Sequence, residues 1–299
     1  MSGAVPDGAR YVDDPEDPCL VPYRDLKDPV LRRRTEAAQG FFVAEGKFAV
    51  LAVLGSPYPL LSVLVLRRRL AVLSELALPP GVAVYVVEDE VMSTVAGFDV
   101  HRGVLGLAAR LALPGPAGLL AAAGPSPVVV VEGVNDQENL GAIFRNAAAF
   151  GAAAVLVDPT CADPLYRRSV RVSLGLVLKV PFTRLSPWPG ALALVADSGF
   201  TLVALTPRPS AARLDHVAEE LQGESVAVVV GAEGPGLSAA VLGMCRPVRI
   251  AMAPGVDSLN VAAATAVALH RFALVRCASA PLASDFGHRH VPGTIGLWS

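Results

Sequence analysis

The strongest constraint on the fold is the alternation of apolar runs and helical patterns over residues 125–278. Runs of Val, Leu and Ile without polar alternation are typical of strands buried on both faces, as in parallel sheets covered by helices. The sequence therefore predicts an α/β domain built on a parallel sheet. Its predicted strands are Pro127–Val131, Ala154–Asp158, Val177–Pro181, Thr201–Leu205, Ser225–Gly231 and Val248–Met252. Its predicted helices are Asn139–Phe150, Leu165–Leu174, Gly190–Ser198, Leu237–Leu242 and Leu259–Val275.

A second, smaller α/β sandwich is predicted at residues 24–112. A strand beginning at Phe41 leads into a helix at Lys47–Leu54, and the aliphatic runs Leu61–Leu66 and Val82–Val87 suit buried strands. Pro, Gly and small residues dominate 113–126, which predicts a linker. The predicted organisation is an N-terminal extension at 1–23, the sandwich at 24–112, the linker at 113–126, the larger domain at 127–278 and a tail at 279–299.

Composition excludes two broad classes. With 53% hydrophobic and 17% charged residues, the chain is too apolar to be disordered. Its mean hydropathy of +0.50 raises the possibility of a membrane protein, but no apolar run reaches the roughly 20 residues of a membrane helix. The longest candidate, Ser258–Leu274, contains Asn260 and Arg271, and the start at Met1–Glu16 is polar and acidic rather than a signal peptide. We expect a soluble, cytoplasmic protein without membrane contact.

Charge and cysteine spacing narrow the candidate ligands. The net charge is −2, so any nucleic acid must bind a local patch. Two arginine runs, Arg32-Arg33-Arg34 and residues 67–69, are either solvated loop and helix ends or a phosphate-contacting face. The four cysteines have no paired spacing, which argues against a disulfide framework or a zinc site, and we expect no bound metal.

Ligands of open parallel sheets bind beyond the carboxyl ends of the strands, so the loops after the strands are candidate sites. The first candidate loop runs from Glu132 to Asn146 and opens a helix. Asn139 and Glu138 lie where side chains satisfy free helix N–H groups. Glu138 and Arg145 are seven residues apart and share a helix face. Taken alone, this pattern is explained by a capped helix with a surface pair.

The second candidate loop follows a strand and contains Gly231, Gly234 and Gly236. Glycines allow the backbone to approach a ligand closely. Their spacing matches neither the dinucleotide fingerprint nor the P-loop. The loop therefore suits a flat adenine ring and a ribose better than a phosphate.

The third candidate loop leaves a strand through a Pro254-Gly255 turn and enters an alanine-rich helix. We expect Asp257 or Ser258 to cap that helix. Asn260 is a polar group in an apolar first turn and needs a partner, which a cap interaction alone also provides.

In this order and spacing, the three loops resemble the signature motifs of the SpoU (TrmH-like) RNA 2′-O-ribose methyltransferases of the SPOUT class. The matching residues are Asn139-Leu140-Gly141-Ala142-Ile143-x-Arg145, Gly231-x-Glu233-Gly234-x-Gly236-Leu237 and Ser258-Leu259-Asn260-Val261. Arg168-x-x-Arg171-x-Ser173-x-Gly175 resembles the family's central stretch. Residues 43–46 and 101–104 look like the L30e-like RNA-recognition domain of many members.

The resemblance implies a deep trefoil knot in the C-terminal domain, a homodimer formed through that domain, and S-adenosylmethionine as the cofactor. It implies cofactor binding by Gly231, Glu233, Gly236, Ile250, Met252, Leu259 and Asn260. It implies catalytic or near-catalytic roles for Arg145, Asn139, Glu233, Ser258 and Asn260. RNA-binding residues are expected at Arg32, Arg33, Arg34, Arg168 and Arg171.

The expected reaction is methyl transfer to a ribose 2′-hydroxyl. A separate N-terminal domain favours ribosomal RNA over tRNA, because the tRNA enzymes of the family typically carry short helical extensions. Two alternatives remain: a tRNA 2′-O-methyltransferase, and a pseudoenzyme that binds cofactor and RNA without transfer. A doubly wound oxidoreductase is disfavoured, because residues 133–141 lack the required glycine spacing.

Overall fold

The computed structural model describes residues 8–28, 35, 36 and 38–279, and these form two sheets. The first sheet has the strand order β1-β4-β3-β5-β2, with β1, β4 and β3 parallel and β5 antiparallel to both β3 and β2. Its strands are β1 (Arg10–Tyr11), β2 (Phe41–Glu45), β3 (Leu60–Leu66), β4 (Ala83–Val87) and β5 (Val104–Ala109). Its helices are α1 (Lys47–Leu54), α2 (Val72–Leu76) and α3 (Asp89–Ala96), with 3-10 turns at Pro18–Tyr23 and Arg67–Arg69.

The second sheet has seven strands, all parallel, in the order β10-β12-β9-β11-β6-β7-β8. The strands are β6 (Val128–Glu132), β7 (Ala154–Val157), β8 (Phe182–Arg184), β9 (Thr201–Leu205), β10 (Ala212–Arg213), β11 (Val226–Gly231) and β12 (Arg246–Arg249). The helices are α4 (Pro116–Ala123), α5 (Gln137–Ala149), α6 (Arg167–Val172), α7 (Leu192–Asp197), α8 (Leu214–Glu220), α9 (Ala239–Met244) and α10 (Val261–Ser279). The predicted α/β class and parallel sheet are confirmed, whereas the trefoil knot stays a prediction.

Helices cover both faces of the second sheet, which explains the largely aliphatic sequences of its strands β6, β7, β9 and β11. Leu119, Leu192 and Val241 of α4, α7 and α9 pack on one face. Helices α5, α8 and α10 pack on the other face, in a core that continues into the first sheet. Each Val or Leu side chain that is fully buried stabilises the fold by about 1.5–3 kcal/mol relative to leaving it exposed.

The two sheets are joined by buried and partly exposed ion pairs as well as by apolar packing. Arg167 of α6 donates from Nη1 to Glu45 Oε2 at 2.5 Å and from Nε to the Leu26 carbonyl at 2.8 Å. Arg110 donates to Asp163 Oδ2 at 2.6 Å. Since the side chains of Arg167 and Glu45 are 5% and 7% exposed, each charge depends on the other for compensation. The first sheet therefore has a fixed position relative to the second.

Two of the predicted strands differ from the structure. The predicted strand Val177–Pro181 is wrong, because the segment forms a 3-10 turn at Leu176–Leu178 and the strand begins at Phe182. Short apolar runs do not distinguish strand from buried helix, and here the left-handed Gly175 turns the chain before the run begins.

The predicted strand Val248–Met252 is also displaced, because β12 ends at Arg249 and residues 250–252 leave the sheet. The predicted linker 113–126 contains helix α4, whose buried Leu119 and Leu120 belong to the core of the second sheet. The predicted N-terminal extension contributes β1 and the buried Leu20 and Tyr23 to the first sheet. The predicted tail, apart from Ser279, lies outside the described residues.

Candidate functional site

A pocket of about 350 Å³ lies beyond the carboxyl ends of β9, β11 and β12. Six of the seven residues predicted to bind a cofactor line it, and the seventh, Asn260, is bonded to Glu233. The pocket is lined by Leu205, Thr206, Pro207, Val230, Gly231, Ala232, Glu233, Gly234, Gly236, Ile250, Met252, Ser258, Leu259, Val261 and Ala264. Its walls are therefore mostly aliphatic side chains and bare backbone, with a carboxylate and hydroxyls among them.

The glycine loop after β11 folds back on itself at one side of the pocket. The Gly236 amide donates to the Ala232 carbonyl at 3.0 Å, and the two residues form an isolated antiparallel bridge. A Cβ on Gly231 would lie 2.5 Å from the carbonyl carbon of Gly236, closer than any side chain tolerates. Gly234 and Gly236 have φ of +87° and +67°, which favour glycine. The glycines in this loop are required by its own conformation.

Asn260 connects all three candidate loops. Its Nδ2 donates to Asn139 Oδ1 and to Glu233 Oε1, both at 2.7 Å. Its Oδ1 accepts from the backbone amides of Ala262 at 3.0 Å and Ala263 at 3.2 Å. Both N–H donors and both acceptor lone pairs of this side-chain amide are therefore occupied.

The predicted caps of helix α10 are wrong. Asn260, rather than Asp257 or Ser258, satisfies the first free N–H groups, and the helix begins at Val261. Ser258 instead lines the pocket. At the start of α5, Asp136 is the cap, because its Oδ1 accepts from the Asn139 amide at 2.7 Å. Both Asn139 and Asn260 therefore lie at helix N-termini; free N–H groups of α10 hold the Asn260 side chain, which in turn donates to Asn139.

Arg145 is not part of this cluster. It is exposed, and no hydrogen bond or ion pair joins it to another described residue. It follows Asn139 by six residues, which is about 9 Å along α5 and a different face of the helix. The ion pair that sequence spacing allowed between Glu138 and Arg145 is not formed.

Two acidic residues that the sequence analysis did not select support the loops. Glu132, the last residue of β6, accepts from Trp188 Nε1 at 2.9 Å and from the Ser238 amide at 2.8 Å. Asp158 follows β7 and is 2% exposed; its carboxylate accepts from the amides of Gly133 and Cys161 at 3.0 and 2.7 Å. Their shared signal is an acidic residue at or directly after the end of a buried aliphatic strand, where loop N–H groups converge.

The predicted RNA-binding arginines fall into three groups. Arg168 is exposed on α6. Arg171 is partly exposed and donates from Nη1 to Glu45 Oε1 at 3.0 Å, so part of its charge is used within the protein. Arg32, Arg33 and Arg34 lie outside the described residues.

Two thiols of the second sheet's loops have raised pKa values. Burial and the charge of Asp158 raise the pKa of Cys161 to about 12. Burial and the charge of Glu132 raise the pKa of Cys245 to about 11. Since thiolates are the nucleophilic form, neither thiol is reactive near neutral pH. No cluster of three His, Cys, Asp or Glu side chains in the described segments is arranged to hold a metal ion.

Among the described helices, none combines the length and apolar content needed to cross a bilayer.

Comparisons with known proteins agree with the motifs. The SpoU rRNA Methylase family model matches residues 126–270. The uncharacterized tRNA/rRNA methyltransferase Rv0881 of Mycobacterium tuberculosis is 44% identical over 268 residues, which cover 89% of this chain and 92% of that protein. This relationship extends through both sheets.

Solved structures have the same fold. An AdoMet-bound rRNA methyltransferase from Sinorhizobium meliloti superposes with a TM-score of 0.73 at 23% identity, over 89% of this chain and 97% of that one. An RNA 2′-O ribose methyltransferase superposes with a TM-score of 0.69 at 26% identity, over 90% of this chain and 99% of that one. The family model, the relative's identity and coverage, and the shared fold lead to one conclusion: this chain belongs to the SpoU family of RNA methyltransferases.

Proposed function

We propose that the protein transfers a methyl group from S-adenosylmethionine to a ribose 2′-hydroxyl of RNA. The observation that carries this proposal is the pocket between the glycine loop and the Ser258–Asn260 segment, with the Asn139–Asn260–Glu233 cluster beside it. A neighbour of the same fold is named as an RNA 2′-O ribose methyltransferase, which supports this class of reaction.

The pocket's chemistry suits S-adenosylmethionine. Leu205, Ile250 and Leu259 offer apolar surface for an adenine ring, and the backbone of the glycine loop brings donors and acceptors close without side-chain bulk. Glu233 gives the pocket a carboxylate, which attracts a cationic ligand. S-adenosylmethionine supplies, when bound, a methyl group on a sulfonium that is a good leaving group. We assign cofactor binding to Gly231, Glu233, Gly236, Ile250, Met252, Leu259 and Asn260.

Arg145 is assigned to the RNA. A guanidinium has donors but no acceptor, so Arg145 does not serve as the base. Its free, exposed donors fit a phosphate of the target nucleotide, and its charge stabilises the alkoxide that forms as the 2′-hydroxyl attacks. The hydroxyl proton then leaves to that phosphate or to a neighbouring acceptor. Asn139, Glu233, Ser258 and Asn260 position the reacting groups, since alignment is the main requirement of an in-line transfer.

Ribosomal RNA is the substrate we propose, with tRNA as the second candidate. The family description names rRNA, the Sinorhizobium meliloti neighbour is named as an rRNA methyltransferase, and the 44% identical relative is named for both substrates. The sandwich before the methyltransferase domain gives a second surface for structured RNA. We further propose a knotted methyltransferase domain, a homodimer formed through it and a cytoplasmic location.

The test uses the full-length protein, S-adenosylmethionine with a tritiated methyl group, and ribosomal RNA and tRNA from cells lacking the gene. We expect label in ribosomal RNA, at a nucleotide whose 3′ linkage becomes resistant to alkali because the 2′-hydroxyl is blocked. Arg145→Ala should abolish transfer while calorimetry still detects cofactor binding. Arg213→Ala, at an exposed ion pair with Asp215, is the control and should keep full activity. Cofactor binding without transfer to either RNA would identify a pseudoenzyme, and label in a base would refute 2′-O transfer.

A further inference from the structure

The arginine run at 67–69 contains two different kinds of residue. Arg67 donates to Glu88 at 3.2 Å, and Arg68 forms a forked pair with Asp89 at 2.5–2.9 Å. Arg69 is exposed and, within the described segments, has no hydrogen bond or ion pair. Three adjacent arginines therefore provide one cation that is free to bind an external anion.

Arg69 and Arg102 lie over neighbouring glycine turns at one edge of the first sheet. The Arg69 side chain occupies space that a side chain at Gly103 would need, with Cγ 2.7 Å from the position of a Cβ. Arg102 lies in the same way over Gly46, with Cδ 2.6 Å from the Cβ position. Arg102 is also exposed and has no described partner. Both glycines have positive φ, +66° and +92°, so other residues are disfavoured at these positions.

The positive surface continues across the domain boundary. Glu45, next to Gly46, accepts from Arg171 of α6, whose side chain is 30% exposed. Arg168 lies three residues before Arg171 on the same face of that helix and has no described partner. Arg69, Arg102, Arg171 and Arg168 thus form one strip, which we call the arginine strip.

The arginine strip leads toward α5. A Cβ on Gly141 would lie 2.7 Å from the Ser169 carbonyl, so α5 and α6 are in close backbone contact. Arg145 follows Gly141 by one helical turn and faces the same side of α5. The exposed guanidinium assigned to the target phosphate therefore belongs to the helix next to the strip.

We propose that the arginine strip binds the phosphate backbone of RNA and guides it from the first domain across the boundary to Arg145. The inference rests on the proposed function and adds the path of the substrate. The chain has a net charge of −2, so phosphate binding requires a local concentration of positive charge. The arginine strip provides one, because the nearby Glu88 and Asp89 are already paired with Arg67 and Arg68. The buried Arg167–Glu45 pair fixes the two domains, so binding does not have to order them.

The experiment compares two double variants with the same change in charge. Arg69→Ala with Arg102→Ala removes two free cations, whereas Arg213→Ala with Arg246→Ala removes two paired ones on strands of the second sheet. Binding of a fluorescent 30-nucleotide single-stranded RNA of mixed sequence is measured from 50 to 400 mM KCl. The logarithm of the binding constant falls as the logarithm of the salt concentration rises, and each lost phosphate contact makes this slope shallower by about 0.7–0.9. We expect the strip variant to lose about 1.5 in slope and at least about tenfold in affinity at 100 mM, and the paired variant to stay within about threefold of the wild type.

A third variant tests the crossing of the boundary. Arg168→Ala should lower the slope by a further 0.7–0.9, roughly one contact, and an unchanged slope would show that the RNA does not reach α6. Equal losses in the two double variants, or no loss in either, would overturn the strip. Methyl transfer is measured for the wild type and the same variants on ribosomal RNA and tRNA from cells lacking the gene. If wild-type protein binds RNA through the strip but transfers no methyl group, the proposed function fails and the strip stands; if it methylates RNA and the strip variants do so equally, only the strip fails.

Discussion

Asn260 allows its structural and functional roles to be separated by two substitutions. Its Oδ1 caps α10, and its Nδ2 holds Asn139 and Glu233. Asn260→Ala removes both roles, whereas Asn260→Asp keeps an oxygen for the cap and removes the donor. We therefore expect both variants to lose methyl transfer and only the first to lose stability.

The magnitudes follow from the contacts. Loss of an N-cap costs about 0.5–2 kcal/mol, so Asn260→Ala should unfold about 1 kcal/mol more easily than the wild type. In Asn260→Asp, a negative charge at the helix N-terminus contributes about 0.3–1 kcal/mol. Repulsion from Glu233 through water costs about 1 kcal/mol and offsets that gain. The free energy of unfolding of Asn260→Asp should therefore stay within about 1 kcal/mol of wild type.

The functional loss is the same in both variants, since neither can donate to Glu233. Without that donor Glu233 and Asn139 are no longer held in register, and a misplacement of about 1 Å at a reacting site costs on the order of 100-fold in rate, so transfer should fall about 10- to 100-fold. Urea denaturation measures stability, and transfer of tritiated methyl groups measures activity. Wild-type transfer by Asn260→Asp, or full stability of Asn260→Ala, would refute the reasoning.

Three other perturbations test the fold and the pocket. Gly231→Ala should abolish cofactor binding in calorimetry, because its Cβ would collide with the backbone of Gly236, while Gly243→Ala, with open space around it, should bind normally. Glu45→Ala should lower the free energy of unfolding by about 3–5 kcal/mol in urea denaturation at pH 7, since it leaves Arg167 buried without its partner; a loss under 1 kcal/mol would contradict this. Because the pKa of Cys161 is raised to about 12, the thiol stabilises the fold fully below pH 9 and this contribution is lost between about pH 9 and 12. In this window the free energy of unfolding of the wild type should therefore fall by up to about 1.4 kcal/mol per pH unit more than that of Cys161→Ala, as measured by urea denaturation.

Local sequence determined most of the secondary structure and indicated the loops that line the candidate pocket. Val128–Glu132 and Val226–Gly231 form strands because their aliphatic residues are buried on both faces, a property visible in the sequence itself. The three loops were recognisable because each follows such a strand and contains glycines or capping residues at fixed spacing. The failure at Val177–Pro181 has the same basis, since a short apolar run is equally compatible with a buried turn.

Only the tertiary structure decided the contacts between residues that are far apart in the chain. Asn139 and Asn260 are 121 positions apart, and no local pattern indicated that one amide would bind the other. Glu132 and Arg171 have the residue types of surface groups, yet Glu132 accepts from N–H groups of two loops and Arg171 pairs with Glu45 of the first sheet. Side-chain type and spacing specify helices, strands and caps because those interactions are local. Partners of polar groups depend on which strands become neighbours, and the packing of the whole chain determines that order.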